Sequence, residues 1–304
     1  MTYKARGSGR WYPGTRAALQ DAVTEQIERA EVPDLRGPLA AAIAPHAGYM
    51  YSGAVAGHAY RVLRDQARRS AAPDTAVVLG ISHRLPLDGV ALLEGEGIRT
   101  PLGTAALDVE AGAFLVSRVS GACFNAEAHE LEHSAENQVP FLQAALPETR
   151  LVLALFGDHE SDTITAVSEA LHALARERSL VVIASTDLLH DSDWEHVAST
   201  DKETMAQMAA MDVDGLRSRW RADHQICCGL APVLTALQFA RLQGVRQGHA
   251  LAYQNSGDDF PESRGQWVVG YGALAYPLAE GAGQESYKHK NIQRKRGLQR
   301  SFVV

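Results

Sequence analysis

The sequence predicts a layered α/β domain with a largely parallel central sheet flanked by helices, and two observations carry that expectation. Four short segments are apolar throughout, as strands buried on both faces are, and each ends abruptly in polar residues. Segments with helical spacing lie between them, and strands that alternate with helices argue for crossover connections.

Taken in order, residues 1–15 are polar and rich in Gly and Pro, and Arg16–Arg29 reads as a helix. The first apolar run, Leu39–Ala44, ends in Pro45-His46-Ala47-Gly48-Tyr49, with helical spacing following over Gly53–Arg64. The second, Ala76–Leu79, ends in Gly80-Ile81-Ser82-His83. Ser134–Leu146 reads as a helix that Pro140 limits. The third run, Leu151–Phe156, ends in Gly157-Asp158-His159, and Thr163–Arg178 has apolar residues at helical spacing. The fourth, Leu180–Ala184, ends in Ser185-Thr186-Asp187. Helices are expected over Asp201–Met211 and over Leu230–Gln243, the second closed by Gly244. Ala250–Tyr253 and Gln266–Tyr276 are further strand candidates. No internal repeat and no linker stands out, so one domain is expected over 1–280. Residues 281–304 read as a basic, disordered tail.

The 304 residues are 46% hydrophobic with a formal net charge of -7. Six Lys/Arg and one acid fall in 281–304, which leaves 1–280 at -12 and argues against a nucleic-acid partner. The three cysteines, Cys123, Cys227 and Cys228, make a poor disulfide framework and suit a reducing compartment. The N-terminus has no apolar core of the signal-peptide kind, and no stretch approaches the roughly 20 apolar residues of a membrane span. A cytoplasmic protein without membrane association is the expectation.

Ligands of open α/β sheets sit beyond the carboxyl ends of the strands. Here those ends supply His46, His83, His159 and Asp187. Cys227 and Cys228 immediately precede a helix, where exposed N–H groups stabilise a thiolate. Free cysteines are also common as small buried hydrophobes, so that alternative stays open. The string His129-Glu130-Leu131-Glu132-His133 matches the His-Glu-x-x-His pattern of zinc proteases literally, which is weak support without a helix around it. Glu136 lies three residues after His133, so a helix would put both on one face. Ser134 is a candidate cap for the helix that follows. Walker A, Gly-x-Gly-x-x-Gly and Gly-x-Ser-x-Gly strings are absent, which argues against a phosphate-loop protein and an α/β-hydrolase.

Several of these segments together resemble the MEMO family. They are Pro45-His46-Ala47-Gly48-Tyr49 with Tyr51-Ser52-Gly53, Gly80-Ile81-Ser82-His83, Thr100-Pro101-Leu102-Gly103 and Glu132-His133-Ser134-Ala135-Glu136-Asn137-Gln138 with Pro140-Phe141-Leu142. Further along come Ser185-Thr186-Asp187-Leu188-Leu189-His190, Cys228-Gly229 with Pro232, Tyr253-Gln254-Asn255-Ser256-Gly257-Asp258 and Val269-Gly270-Tyr271. The blocks keep the family's order from about residue 6 to residue 276.

The resemblance implies a fold like that of the class III extradiol dioxygenases and a mononuclear metal site. Its ligands would be His46, His83 and Cys228, with Gly229 and Pro232 setting the register on Cys228 rather than Cys227. Asp187, His190, His133 and Glu136 would line the same cavity as catalytic candidates, with His190, or His133 oriented by Glu136, as acid/base. Iron or copper is implied, and a thiolate in place of the usual carboxylate also admits zinc. Family members in prokaryotes are linked with radical-SAM and AMMECR1-like proteins. Arg84, where relatives often have a second His, and Leu230-Ala231, where some have a His, depart from the pattern around the site and bear on metal preference. The expected function is a metal-dependent, O2-linked oxidoreductase acting on a small-molecule or peptide substrate. The alternatives are a non-catalytic peptide- or protein-binding module that keeps the pocket, and metal handling without turnover.

Overall fold

A computed structural model describes residues 1–280. The expected tail, 281–304, lies outside the described residues. The strands are β1 (Thr2–Lys4), β2 (Leu39–Ala44), β3 (Thr75–Ile81), β4 (Val90–Leu92), β5 (Gly97–Thr100), β6 (Gly103–Ala106), β7 (Ala122–Phe124), β8 (Arg150–Phe156), β9 (Leu180–Ser185), β10 (His190–Asp191), β11 (His249–Asn255) and β12 (Val268–Pro277). The helices are α1 (Arg16–Arg29), α2 (Tyr49–Arg69), α3 (Val109–Arg118), α4 (Ala126–Glu130), α5 (Val139–Ala145), α6 (Ser161–Ala175), α7 (Trp194–Ala210), α8 (Val213–Arg219), α9 (Leu230–Leu242) and α10 (Ser256–Asp259).

The main sheet runs β10-β12-β2-β9-β3-β8-β4-β7, with β11 also paired to β12, and β1-β5-β6 form a small separate sheet. All four apolar runs became central strands, in the order β2-β9-β3-β8 and parallel to one another. Their side chains alternate between two cores. Val77, Leu79 and Ile81 of β3 face one side with Val152, Ala154 and Phe156 of β8. Ala76 and Val78 face the other with Leu151, Leu153 and Leu155. Helices α3, α6 and α9 cover the first face and α1, α2 and α5 the second. Both faces are therefore dry, which is why these strands carry no alternating polar residues.

The sheet is nevertheless mixed, which corrects the expectation of a largely parallel one. The chain returns at its C-terminal end as the antiparallel pair β11–β12, and β12 lies antiparallel on β2. On the other margin β4 is antiparallel to β8. A hairpin needs no crossover helix, so the sheet extends without the βαβ signature that the sequence displays at its centre.

The parallel order brings the ends of β2, β3 and β9 to one edge of the sheet, where His46, His83 and Asp187 follow two residues later. No helix among the described residues is long and apolar enough to cross a membrane.

Candidate metal centre

His46 leaves the end of β2 and is buried, and five neighbours fix the short segment around it. Asp187 accepts from the His46 and Ala47 backbone N–H groups at 2.8 and 3.2 Å. Asn137 donates to the His46 carbonyl at 2.6 Å, and Gln138 donates to the Pro45 carbonyl at 2.9 Å. Ser52 donates to the Ala47 carbonyl from the first turn of α2, at 3.0 Å. The imidazole Nδ1 lies 3.1 Å from Ser185 Oγ. That hydroxyl donates its single hydrogen to the Ser134 carbonyl and accepts from Gln138 Nε2. It is left as an acceptor for His46 Nδ1–H, which makes Nε2 the lone-pair nitrogen. Nε2 faces Cys228 Sγ at 3.4 Å.

His83 follows β3 in the same way. Its backbone N–H donates to Glu132 Oε2 at 2.6 Å, and its Nδ1 lies 3.1 Å from Glu132 Oε1. A carboxylate only accepts, so Nδ1 carries the hydrogen and Nε2 is again the free nitrogen. Burial opposes charge on His83, but hydrogen bonds with Cys228 and Glu132 outweigh it and push its pKa up to about 9. A metal ion would compete with that proton. Burial also opposes charge on Glu132, but the two histidines and the Ser134 N–H hold its pKa well below the usual carboxylate range.

Cys228 sits two residues before α9, with Gly229 as the N-cap. Its backbone N–H donates to the Asp187 carbonyl at 3.2 Å, and its Sγ accepts from the Asp187 N–H at 3.3 Å. Gly229 is required here: a Cβ would come within 2.8 Å of the Ser185 carbonyl oxygen. Cys227, by contrast, is fully buried in the core beneath α9, and burial pushes its thiol well above the ordinary range. Donor atoms of His46, His83 and Cys228 all lie within 4.8 Å of one another. Two imidazoles that turn Nε2 toward a thiol, the His83 nitrogen being free once its proton is displaced, form a donor set that fits a transition-metal ion.

The remaining candidates divide. Asp187 is at the centre, but its Oδ1 is occupied by the His46 segment and its Oδ2 lies 4.0 Å from His46 Nε2. It positions the ligands. Both His190 and His133 are neutral in character, because burial outweighs nearby carboxylates and lowers their pKa values. His190 Nε2 is buried without a hydrogen-bond partner. The His133 ring stands 5.3 Å from that of His46 and 5.4 Å from that of His83, and Trp11 stacks on it at 3.9 Å. His133 Nδ1 is 3.1 Å from Glu132 Oε1 but out of line for a hydrogen bond.

Glu136 does not orient His133, and the expectation that it does is corrected here. Its carboxylate accepts from Arg6 N–H, Gly7 N–H and Tyr12 OH at 2.9, 2.6 and 3.0 Å, and so fastens the N-terminal segment that carries Trp11. The orienting carboxylate is Glu132, and the histidine it orients is His83; the sequence presented Glu132 only as part of a protease-like string. That string is not the helical zinc-protease motif, although Glu132 and His133 do lie with His83 in a second group of donor atoms within 4.8 Å of one another. α4 ends at Glu130, and His129 turns inward to the Ala91 carbonyl at 3.2 Å. Nor does Ser134 cap a helix: its hydroxyl donates to Ile81 O at 2.8 Å and accepts from Ile81 N at 3.1 Å, latching the end of β3. His159 shares the sheet edge but caps α9, its Nδ1 accepting from Ala231 N–H at 3.1 Å.

A recess of about 260 Å³ opens beside the thiol, lined by His190, His224, Gln225, Cys228 and Trp267 among others. A larger one, about 360 Å³, lies against α2 between Pro33 and Arg69, and among the described residues no ligand cluster borders it.

A family model described as Memo-like protein matches residues 4–275. A MEMO1 family protein of Methanopyrus kandleri is 32% identical over 282 residues, covering 88% of this chain and 96% of its own. One from Methanothermobacter thermautotrophicus is 34% identical, covering 77% and 83%, and one from Aeropyrum pernix is 33% identical, covering 88% and 96%. Among solved structures, an uncharacterized protein of Escherichia coli K12 aligns over 79% of this chain and 99% of its own, with a TM-score of 0.49 and 14% identity.

Proposed function

The chain belongs to the Memo-like family, and from that premise we propose that it holds one transition-metal ion, iron or copper, on His46, His83 and Cys228 for O2-linked redox chemistry on a small-molecule or peptide substrate. The observation that supports this most is the convergence to within 4.8 Å of donors from two strand ends and the loop before α9, each imidazole oriented through its other nitrogen. Zinc fits the same donors but would confine the protein to non-redox chemistry. The bound ion would supply one-electron steps and an electrophilic centre.

The surrounding residues have distinct tasks in this reading. Asp187 fixes the His46 segment and donates its N–H to the thiol. Glu132 aims His83, and Ser185 aims His46. His190, with a buried and unpartnered Nε2, would take or give a proton from the wall of the recess. The fold's likeness to class III extradiol dioxygenases remains part of the proposal, and ring cleavage is not inferred from it.

The test is the metal content of protein purified without a metal-binding tag, beside Cys228→Ala. The proposal expects about one equivalent of iron or copper, lost in the variant. A native protein that is empty and also refuses added Fe(II) and Cu(I) would overturn it and favour the peptide-binding module.

A further inference from the structure

Three sequence segments that take no part in the ligand set meet at one buried carboxylate, Asp201 in the first half of α7. It is fully buried, and no Lys, Arg or His among the described residues lies within salt-bridge distance of it. Its Oδ1 accepts from the Leu189 N–H at 3.0 Å, and its Oδ2 accepts from Tyr253 OH at 3.0 Å. Asn255 Nδ2 donates to the same phenol oxygen at 3.4 Å. Gly270 makes the room, since a Cβ there would stand 1.7 Å from Oδ2. Gly270 also binds the same loop through its backbone, accepting from Leu188 N–H at 2.8 Å and donating to Leu189 O at 3.0 Å.

A buried carboxylate without a cation is costly, and an apolar residue would pack this space more cheaply. Burial raises the Asp201 pKa to about 7, which is the sign of that cost. What the carboxylate holds is the Leu188–Leu189 peptide unit, one residue short of His190. Among the described residues, the titratable groups that interact with it are Tyr253 of β11 and Cys227 below α9. Neither offers a positive charge that would explain an acid at this position.

We infer that Asp201 is a positioning residue of the candidate site: through the Leu189 N–H it fixes His190, and through Tyr253 it ties that segment to the hairpin β11–β12. The assignment rests on the proposed site only in what it says His190 is for. Tyr253 and Asn255 hold the carboxylate from one side and Gly270 admits it from the other, so the Tyr253–Asn255 segment acts on His190 through Asp201, while Val269 pairs with His190 directly in the β10–β12 ladder.

The experiment is NMR of the full chain stripped of metal by a chelator, so that failure of metal binding leaves it intact. It reads amide exchange at Leu189 and the side-chain 15N signals of His190 in Asp201→Ala, Asp201→Asn and Tyr253→Phe. Asp201→Ala is expected to speed Leu189 exchange by about tenfold relative to amides in α9, and to split or broaden the His190 signals. Asp201→Asn, which keeps an acceptor for Leu189 N–H, is expected to restore both. Tyr253→Phe, at a partly exposed ring, is expected to speed Leu189 exchange by a few-fold with unfolding unchanged. If Asp201→Ala does not fold, the other two variants carry the test. Unchanged Leu189 exchange and His190 signals in Tyr253→Phe together with either Asp201 variant would overturn the assignment. So would a uniform rise across α7 and β12, which marks a merely structural role.

Discussion

Glu132 receives hydrogen bonds from the His83 N–H, the His83 imidazole, the His133 N–H and the Ser134 N–H, and it is almost wholly buried. Changing it to Gln puts an NH2 where an acceptor is needed and frees His83 to rotate. Outer-shell partners of this kind are worth roughly 10–100-fold in metal affinity, so Glu132→Gln should weaken metal binding by that factor in a chelator competition. An affinity within about twofold of wild type would show that His83 is aimed by something else. His46, His83 and Cys228 were legible in the sequence because each stands at a strand end or before a helix, in a segment of the MEMO pattern. The Glu136 role was misread for a physical reason. The i, i+3 argument needs helix from His133 to Glu136, but residues 131–135 are not helical and a 3-10 turn starts only at Glu136. Once the chain bends there, Glu132 faces the histidines and Glu136 faces the N-terminal segment.

Among the elements, β3 owes the position of its last residues to a loop side chain. Ser134 Oγ both donates to and accepts from Ile81, two residues before His83, and Gly80 leaves space for it: a Cβ there would lie 2.5 Å from the hydroxyl. Ser134→Ala would strand a buried N–H and a carbonyl. Each orphaned group costs about 1–3 kcal/mol, so urea unfolding should show a loss of that order, with metal affinity reduced as His83 shifts. A loss below about 0.5 kcal/mol would mean the strand end holds itself. The four central strands were readable because burial on both faces leaves uninterrupted apolar runs. The helix after His46 starts earlier than expected, at Tyr49, with its first turn packed against the site. β4 to β7 were missed because three- and four-residue strands hold too few residues to show a period, and the small sheet that β5 and β6 form with β1 pairs distant parts of the chain. Pro140 did limit its helix: it sits in the first turn of α5, where its missing N–H costs nothing.

At the scale of the whole molecule, burial of histidines shapes acid stability. Burial lowers the His129 and His159 pKa values to about 4. Between about pH 4 and 6.5 the unfolded chain binds a proton at each site that the folded chain does not, so stability falls as pH drops through that window. Asp201 has the opposite sign. Its pKa is raised to about 7, so from about pH 4 to 7 the folded chain keeps a proton that the unfolded chain has released, and its contribution declines as pH rises. Unfolding free energies at pH 4.5, 5.5 and 6.5 should show a shallower rise for His129→Gln than for wild type, and a steeper one for Asp201→Asn. Parallel curves would contradict the burial argument. The metal site is also a property of the complete fold, since its donors stand 37 and 145 residues apart and only the parallel order of β2, β9 and β3 brings the histidines together. The most direct test of that claim is X-ray absorption at the metal edge of the full chain loaded with one equivalent of Zn(II), a redox-silent probe. The account predicts one sulfur at about 2.3 Å and two imidazole nitrogens at about 2.0 Å, with the sulfur lost in Cys228→Ser. A shell of nitrogen and oxygen alone in the wild-type protein would contradict it.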